Sequence, residues 1–501
     1  MGNNRLTINL ISNIISYSST ILISFVLTPY LINTLGKEAY SFYPLANNFV
    51  NFMGILTLAL NSMANRFITI EIVNKNYDKA NKYFSSVFFA NVVMSFVLLL
   101  PMVITVIFLN QILNIPIDIE GSVKALFALT FISMIMNIVT SVFGVATFAN
   151  NRIDLRSLNE LIIALLRIIL FVIFFSLFTT NIAFVGLVAL ILSCVNFAIQ
   201  YFYSKKLLPN IRISREYFSR KHVKILLSSG IWNSINQLGN ILLVSSSLLL
   251  VNIYYGASRA GQYSIVQTVP NFINGMISML TGVFVPLITY RYATNDIPGL
   301  LYEIKKSQKI ISFFSSSVIA VFIGLSFNFF ELWVPAEDAS LLEFFSTLTI
   351  IPHFIIGTVW PISNLNTVMN KVKIPSLFTL GFGLSNILIN IIIYKLFARN
   401  FIVVPLISTT IQIVWVGIFI PIYACKILKI SYFTFYPILI KTIISGFVIF
   451  SITKLVQNYI PINSWATFFL VGILCGGLAL IINAFVIFGI RDIKNRVSLN
   501  K

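Results

Sequence analysis

Charge is scarce in this chain. Only 10% of its 501 residues are charged, against about a quarter in an ordinary soluble protein. Histidine occurs twice and cysteine three times. Cys194, Cys425 and Cys475 fall in or beside apolar runs and read as buried thiols, which excludes a disulfide framework. Neither they nor His222 and His353 show metal-ligand spacing, and there is no P-loop, GxSxG or HExxH. The 15 carboxylates sit in loops or near the ends of apolar runs, and none lies deep in one. No catalytic residue, metal site or cofactor is therefore expected.

What the chain has is apolar length. It is 58% hydrophobic with 46 Phe, arranged as successive stretches of 18 or more apolar residues, the signature of membrane-spanning helices. Fourteen spans are predicted, at about 8–31, 42–62, 84–108, 124–149, 159–179, 182–203, 225–251, 262–289, 310–333, 342–369, 376–396, 401–424, 435–457 and 463–489. The N-terminus does not read as a cleavable signal. Arg5 precedes an apolar run too long for an h-region, and no small-residue cleavage site follows.

The net charge of +19 would suggest nucleic acid in a soluble protein. Here its distribution argues otherwise. With the N-terminus in the cytoplasm, 26 of the 34 Lys and Arg fall on the cytoplasmic side. Five (Lys37, Arg259, Lys395, Arg399 and Lys454) fall outside, and Lys124, Arg167 and Lys441 lie in or at the edge of spans. Such asymmetry fixes orientation by the positive-inside rule, places both termini in the cytoplasm and accounts for the basicity without nucleic acid. The most basic connection is "SKKLLPNIRISREYFSRKHVK" (204–224), midway along the chain.

A repeat shows at a shift of 220 residues. Asn13 matches Asn233, Gly36 matches Gly256, Tyr43 matches Tyr263, and Asn51–Phe52 matches Asn271–Phe272. Asn47 meets the similar Gln267. Both copies run in-to-out and then out-to-in, so the repeat is parallel. In transporters built from such halves the substrate site lies at the interface between them.

The stretch "VLTPYLINTLGKEAYSFYPLANNFVNFMGILTLALNSMANRFI" (26–68) has a Pro late in the first span, a Gly-containing turn and an Arg closing the second span. It resembles the opening of the bacterial polysaccharide transporters, the O-antigen, capsule and teichoic-acid flippases. These share a superfamily with multidrug-and-toxin extruders and lipid II flippases. The resemblance implies an all-α integral membrane fold of about 14 transmembrane helices: two six-helix lobes around a central cavity plus two C-terminal helices. The corresponding organisation is an N-lobe at 1–203, a basic cytoplasmic linker at 204–224, a C-lobe at 225–424, and spans 13–14 with a cytoplasmic tail at 425–501. It further implies translocation, by alternating access, of an undecaprenyl-diphosphate-linked oligosaccharide from the inner to the outer leaflet of a bacterial plasma membrane. The partners implied are that lipid-linked substrate, membrane lipids and a polysaccharide polymerase.

A diphosphate crossing the bilayer needs cations, a sugar chain needs amides and hydroxyls, and no bond is broken. Arg167 is the leading cation, since intramembrane charges are expensive and usually functional. The alternatives are snorkelling to the interface or pairing with Glu160 two turns away. Arg66, after span 2, and Arg291, after span 8, are candidates for the cytoplasmic mouth, or else ordinary anchors. Arg259 and Lys124 lie near the outer face, where a departing diphosphate or plain solvent would meet them. Among the amides, Asn13, Asn47 and Asn51 lie in spans 1–2. Asn233, Asn236, Gln237 and Asn240 follow i, i+3, i+4, i+7 in span 7. Gln267, Asn271 and Asn274 follow i, i+4, i+7 in span 8. A polar stripe in lipid must face protein or water, so these are candidate substrate contacts, with helix–helix hydrogen bonding as the alternative.

Three rivals are weighed. A cation-exporting drug antiporter needs carboxylates inside the lobes, and none is visible. A lipid II flippase is closer, but span 1 lacks the several Arg expected of one. A membrane polymerase would present a sizeable outer loop with catalytic residues, whereas the outer loops here are short.

Overall fold

The computed structural model describes residues 3–397 and 401–489. The side chain of Asn13, Arg399 and the 490–501 tail lie outside the described residues. No strand occurs among the described residues. The first half contains α1 (Asn3–Leu35), α2 (Lys37–Val73), α3 (Tyr77–Ile107), α4 (Glu120–Thr140), α5 (Ile153–Leu177), α6 (Ala183–Leu207) and α7 (Arg220–Asn240). There follow α8 (Ser246–Gly282), α9 (Val285–Ala293), α10 (Ile297–Trp333), α11 (Ala339–Ile350), α12 (Pro352–Val368) and α13 (Lys373–Phe397). The chain ends with α14 (Val403–Val414), α15 (Ile420–Leu428), α16 (Tyr436–Tyr459) and α17 (Trp465–Asn483).

Twelve helical stretches among the described residues are long and apolar enough to cross a membrane. One of them runs for 74 residues, Arg220–Ala293, and breaks at Gly256, whose φ of +83° is non-helical. Each side of the break exceeds the ~20 residues a crossing needs. The 37-residue α2 is not among the twelve, because its asparagines dilute its apolar character. With α2 added and the long run counted as two, the fourteen expected spans are accounted for. Apolar side chains such as Phe96, Phe447 and Ile473 are exposed, as suits helices solvated by lipid.

The repeat is written into the backbone. Gly36 has φ +78° and Gly256 φ +83°, a conformation that a side chain strains. The match extends further. Asn76 caps α3 by accepting from the Lys79 N–H, and 220 residues on Asp296 caps α10 by accepting from the Gly299 N–H. Lys75 and Asn295 both take left-handed φ, as do Asn151 and Asn370. Each closes the preceding helix by a 6→1 bond: Asn76 N to Glu71 O, Asp296 N to Arg291 O, Arg152 N to Thr147 O and Lys371 N to Asn366 O.

Two compact units emerge, Met1–Ile241 with Leu248–Gly261, and Leu242–Ser247 with Gln262–Lys501. In the first, glycines permit close helix approach. A Cβ on Gly230 of α7 would run into the Ala59 carbonyl of α2, and one on Gly186 of α6 would lie 2.9 Å from the Leu126 carbonyl of α4. A polar knot joins α2, α3 and α4: Asn61 and Asn91 bond each other reciprocally at 3.2 and 3.0 Å, and Ser141 donates to Asn61.

The second unit is built around α10, whose buried face is serine-rich (Ser307, Ser312, Ser315, Ser316). Ser312 pairs with Thr358 of α12 at 2.8 Å, and Thr358 donates to Thr442 of α16 at 3.4 Å. Asn483 of α17 donates to Ser316, Ser317 and the Phe313 carbonyl. The wide turn Ile241–Ser245 frees the carbonyls of Leu242 and Leu243, and both accept from Asn386 of α13 at 3.1 and 3.2 Å. Of the cysteines, Cys425 and Cys475 are buried as expected, whereas Cys194 is exposed. An apolar run does not by itself say which of its faces meets lipid.

Candidate functional site

The first unit carries a half-open cavity of about 320 Å³, within the range of ligand pockets. It lies among α2, α4, α5 and α6. From α5 come Asn159, Glu160, Ile163, Arg167 and Phe171, a single stripe at helical spacing. α2 contributes Tyr43 and Asn47, α4 contributes Ser133 and Asn137, and α6 contributes Ser193 and Asn196 above an apolar floor.

Arg167 stands two residues past the midpoint of the 25-residue α5. Its side chain is half-buried and lines the cavity. It makes no ion pair or hydrogen bond among the described residues. The alternative of pairing with Glu160 is not what the structure shows, because Glu160 is engaged elsewhere. One carboxylate oxygen pairs with Arg156 at 3.0 Å, and the other accepts from Ser16 Oγ of α1 at 3.2 Å. Glu160 also corrects the expectation that no carboxylate faces the interior of a lobe. Near a span end in sequence, it lines the cavity all the same.

An amide relay crosses the cavity wall. Asn159 donates to Asn196 at 2.8 Å, and Asn196 donates to Asn137 at 3.3 Å. Asn159 is 3% exposed, and its Oδ1 accepts no hydrogen bond from the described residues. A cation, a chain of amides, a tyrosine and serines on an apolar floor suit a ligand with both anionic and hydroxyl groups.

The other expected residues fall in several places. Asn47 joins Arg167 at the cavity, whereas Asn51 is exposed and does not line it. On α7, Asn233 donates to Ser62 of α2 at 3.3 Å, so this member of the stripe bonds helix to helix. Asn236 and Asn240 are half-buried and Gln237 is exposed. In the second unit, Gln267 and Asn274 of α8 are half-buried and Asn271 is exposed. Arg66 is exposed on α2, which continues to Val73. Arg259 is exposed just past Gly256. Lys124 pairs with Glu120 at 2.6 Å, and Arg291 with Asp296 at 2.8 Å. Asn137, Asn159 and Asn196 escaped the sequence reading because the first two are lone amides in their spans and the third shares its span only with Gln200. A stripe along one helix shows as periodicity, and a relay across three helices does not.

Residues 6–290 match the family described as "Polysaccharide biosynthesis protein". The uncharacterized membrane protein EpsK of Bacillus subtilis (strain 168) is 25% identical over 471 residues, covering 94% of this chain and 93% of that one. Among solved structures, the lipid II flippase MurJ in an inward closed conformation superposes with a TM-score of 0.66 at 16% identity, over 96% of this chain and 98% of that one. The MATE multidrug transporter DinF-BH gives 0.65 at 16% identity, over 87% and 97%. At these identities the structural likeness speaks for the fold.

Proposed function

The chain belongs to the polysaccharide biosynthesis protein family and has the all-α fold of membrane flippases and exporters; on that premise we propose that it flips undecaprenyl-diphosphate-linked oligosaccharides. The direction is from the inner to the outer leaflet of the bacterial plasma membrane, by alternating access, in the service of a surface polysaccharide. The observation that carries this reading is Arg167, a half-buried cation without a partner among the described residues, facing an amide-lined cavity in mid-helix. Burying an unpaired cation costs several kcal/mol, a cost offset when an anionic cargo arrives. A guanidinium holds a phosphate through two parallel N–H donors, and Asn47 and Asn137 offer amides to sugar hydroxyls. The prenyl chain needs only lipid. No bond is made or broken, so the cavity has no need of a nucleophile or general base.

A cation-exporting antiporter is the second reading, favoured by Glu160 at the same cavity. Its carboxylate is already neutralised by Arg156 and bonded by Ser16, which leaves Arg167 as the uncompensated charge. Mass spectrometry of the undecaprenyl-diphosphate pool in cells depleted of this protein tests the proposal. A complete repeat unit accumulating on the cytoplasmic side while surface polysaccharide falls is the expected result. An unchanged pool, or short units piling up on the outer surface, overturns it.

A further inference from the structure

The basic segment 204–224 is not a loose tether. Three buried side chains at the start of α3 grip its backbone. Asn81 Oδ1 accepts from Arg212 N at 2.7 Å, and Asn81 Nδ2 donates to the Asn210 carbonyl at 3.5 Å. Ser85 Oγ donates to the Arg212 carbonyl and accepts from Ser214 N, at 3.2 and 3.3 Å. Ser86 Oγ accepts from Ser219 N at 3.0 Å and donates to the Ser219 carbonyl at 3.4 Å. Leu208 and Ile211 sink into the same core as Phe84, Val87 and Phe143. One side of the segment is therefore anchored, and the other displays its charge.

The seven cations Lys205, Lys206, Arg212, Arg215, Arg220, Lys221 and Lys224 are all exposed, and none forms an ion pair among the described residues. Tyr201, Phe202 and Phe218 are exposed among them, the mixture of rings and cations that sits at a headgroup layer. Satisfying the positive-inside rule requires only charge near span ends, which a mobile loop supplies equally well. It does not require three buried side chains to immobilise the backbone between the charges.

We propose that this clamped segment is a docking surface for the anionic phospholipid headgroups of the leaflet it faces, which the charge count makes the cytoplasmic one. Held in register by α3, its cations meet several phosphodiesters at once without losing backbone freedom on binding.

The test uses the full-length protein in nanodiscs of equal parts phosphatidylglycerol and phosphatidylethanolamine, with the retained lipids weighed by native mass spectrometry. Three variants are compared: R212Q/R215Q/K221Q, the charge-matched K371Q/K426Q/K429Q, and N81A/S85A, which changes no charge. Wild type should retain phosphatidylglycerol preferentially. The first variant should lose at least about fivefold of that enrichment, the effect of one surface cation or more. The charge-matched control should keep it, and N81A/S85A should lose at least about half. Equal loss in the control, no enrichment in wild type, or displacement of the lipid by inorganic phosphate at millimolar concentration would overturn the proposal. Should N81A/S85A fail to fold, the two charge variants decide by themselves.

Discussion

Arg167 and its neighbours separate binding from stability at the level of single residues. Because Arg167 has no partner among the described residues, Arg167→Ala removes no ion pair and leaves no buried acid exposed. The folded protein should melt no lower than wild type in detergent, because the substitution breaks no network and removes the cost of an unpaired cation in a span. Transport, read as export of lipid-linked repeat units, should fall at least about tenfold, because the cation would act on the cargo alone. Arg167→Lys should recover only part of it, since an ammonium lacks the two-pronged donor. The amide relay predicts the converse. Asn196→Ala breaks both bonds of the relay, to Asn159 and to Asn137, and strands the Asn159 amide, which is 3% exposed. It should destabilise the protein by about 1–2 kcal/mol, read as a lowered melting temperature. The local pairs Glu120–Lys124 and Arg156–Glu160, each spaced i, i+4, were open to reading from the sequence alone. Lys124 could have been assigned a partner there.

Between elements, the legible part of the fold was whatever repeats along one helix or recurs at a fixed shift. The span count and the Gly36/Gly256 correspondence were readable because each is a pattern in one dimension. The relay Asn159–Asn196–Asn137, the grip of Asn81 and Ser85 on the linker, and the cavity-facing turn of Glu160 depend on which helices lie side by side, and no periodicity encodes that. The glycines make the same division testable. Gly230 and Gly121 look alike in sequence, but a Cβ on Gly230 would strike the Ala59 carbonyl, while nothing lies within 4 Å of one on Gly121. Gly230→Ala should therefore force α2 and α7 apart and cost about 2 kcal/mol or more. Gly121→Ala, in the first turn of α4, should be neutral or stabilising by up to about 1 kcal/mol. Gly36→Ala is a third case. Its Cβ meets nothing within 4 Å, but φ +78° with ψ 154° is glycine territory, and the strain should cost about 1–3 kcal/mol. Thermal melts of the three variants check all three signs.

For the whole molecule, orientation is the property on which flipping, the cation distribution and the linker surface jointly depend. The expected spans put 26 cations on one side against five on the other, far from an even split, and the cost of translocating Lys and Arg predicts its direction. Reporter positions must be exposed and lie outside the packed helices. Asp118, in the turn before α4, and Asn210, in the linker, meet both conditions. Cys194 is exposed, so the three native cysteines are first replaced by serine or alanine. A membrane-impermeant maleimide should then label Asp118→Cys in intact cells and Asn210→Cys only after permeabilisation. The reverse pattern would put the linker outside. It would remove the cytoplasmic leaflet from the lipid-docking proposal and turn the cavity's access round. Labelling of both sites in intact cells would mean that charge does not set the topology at all, leaving the packing of the spans to fix it.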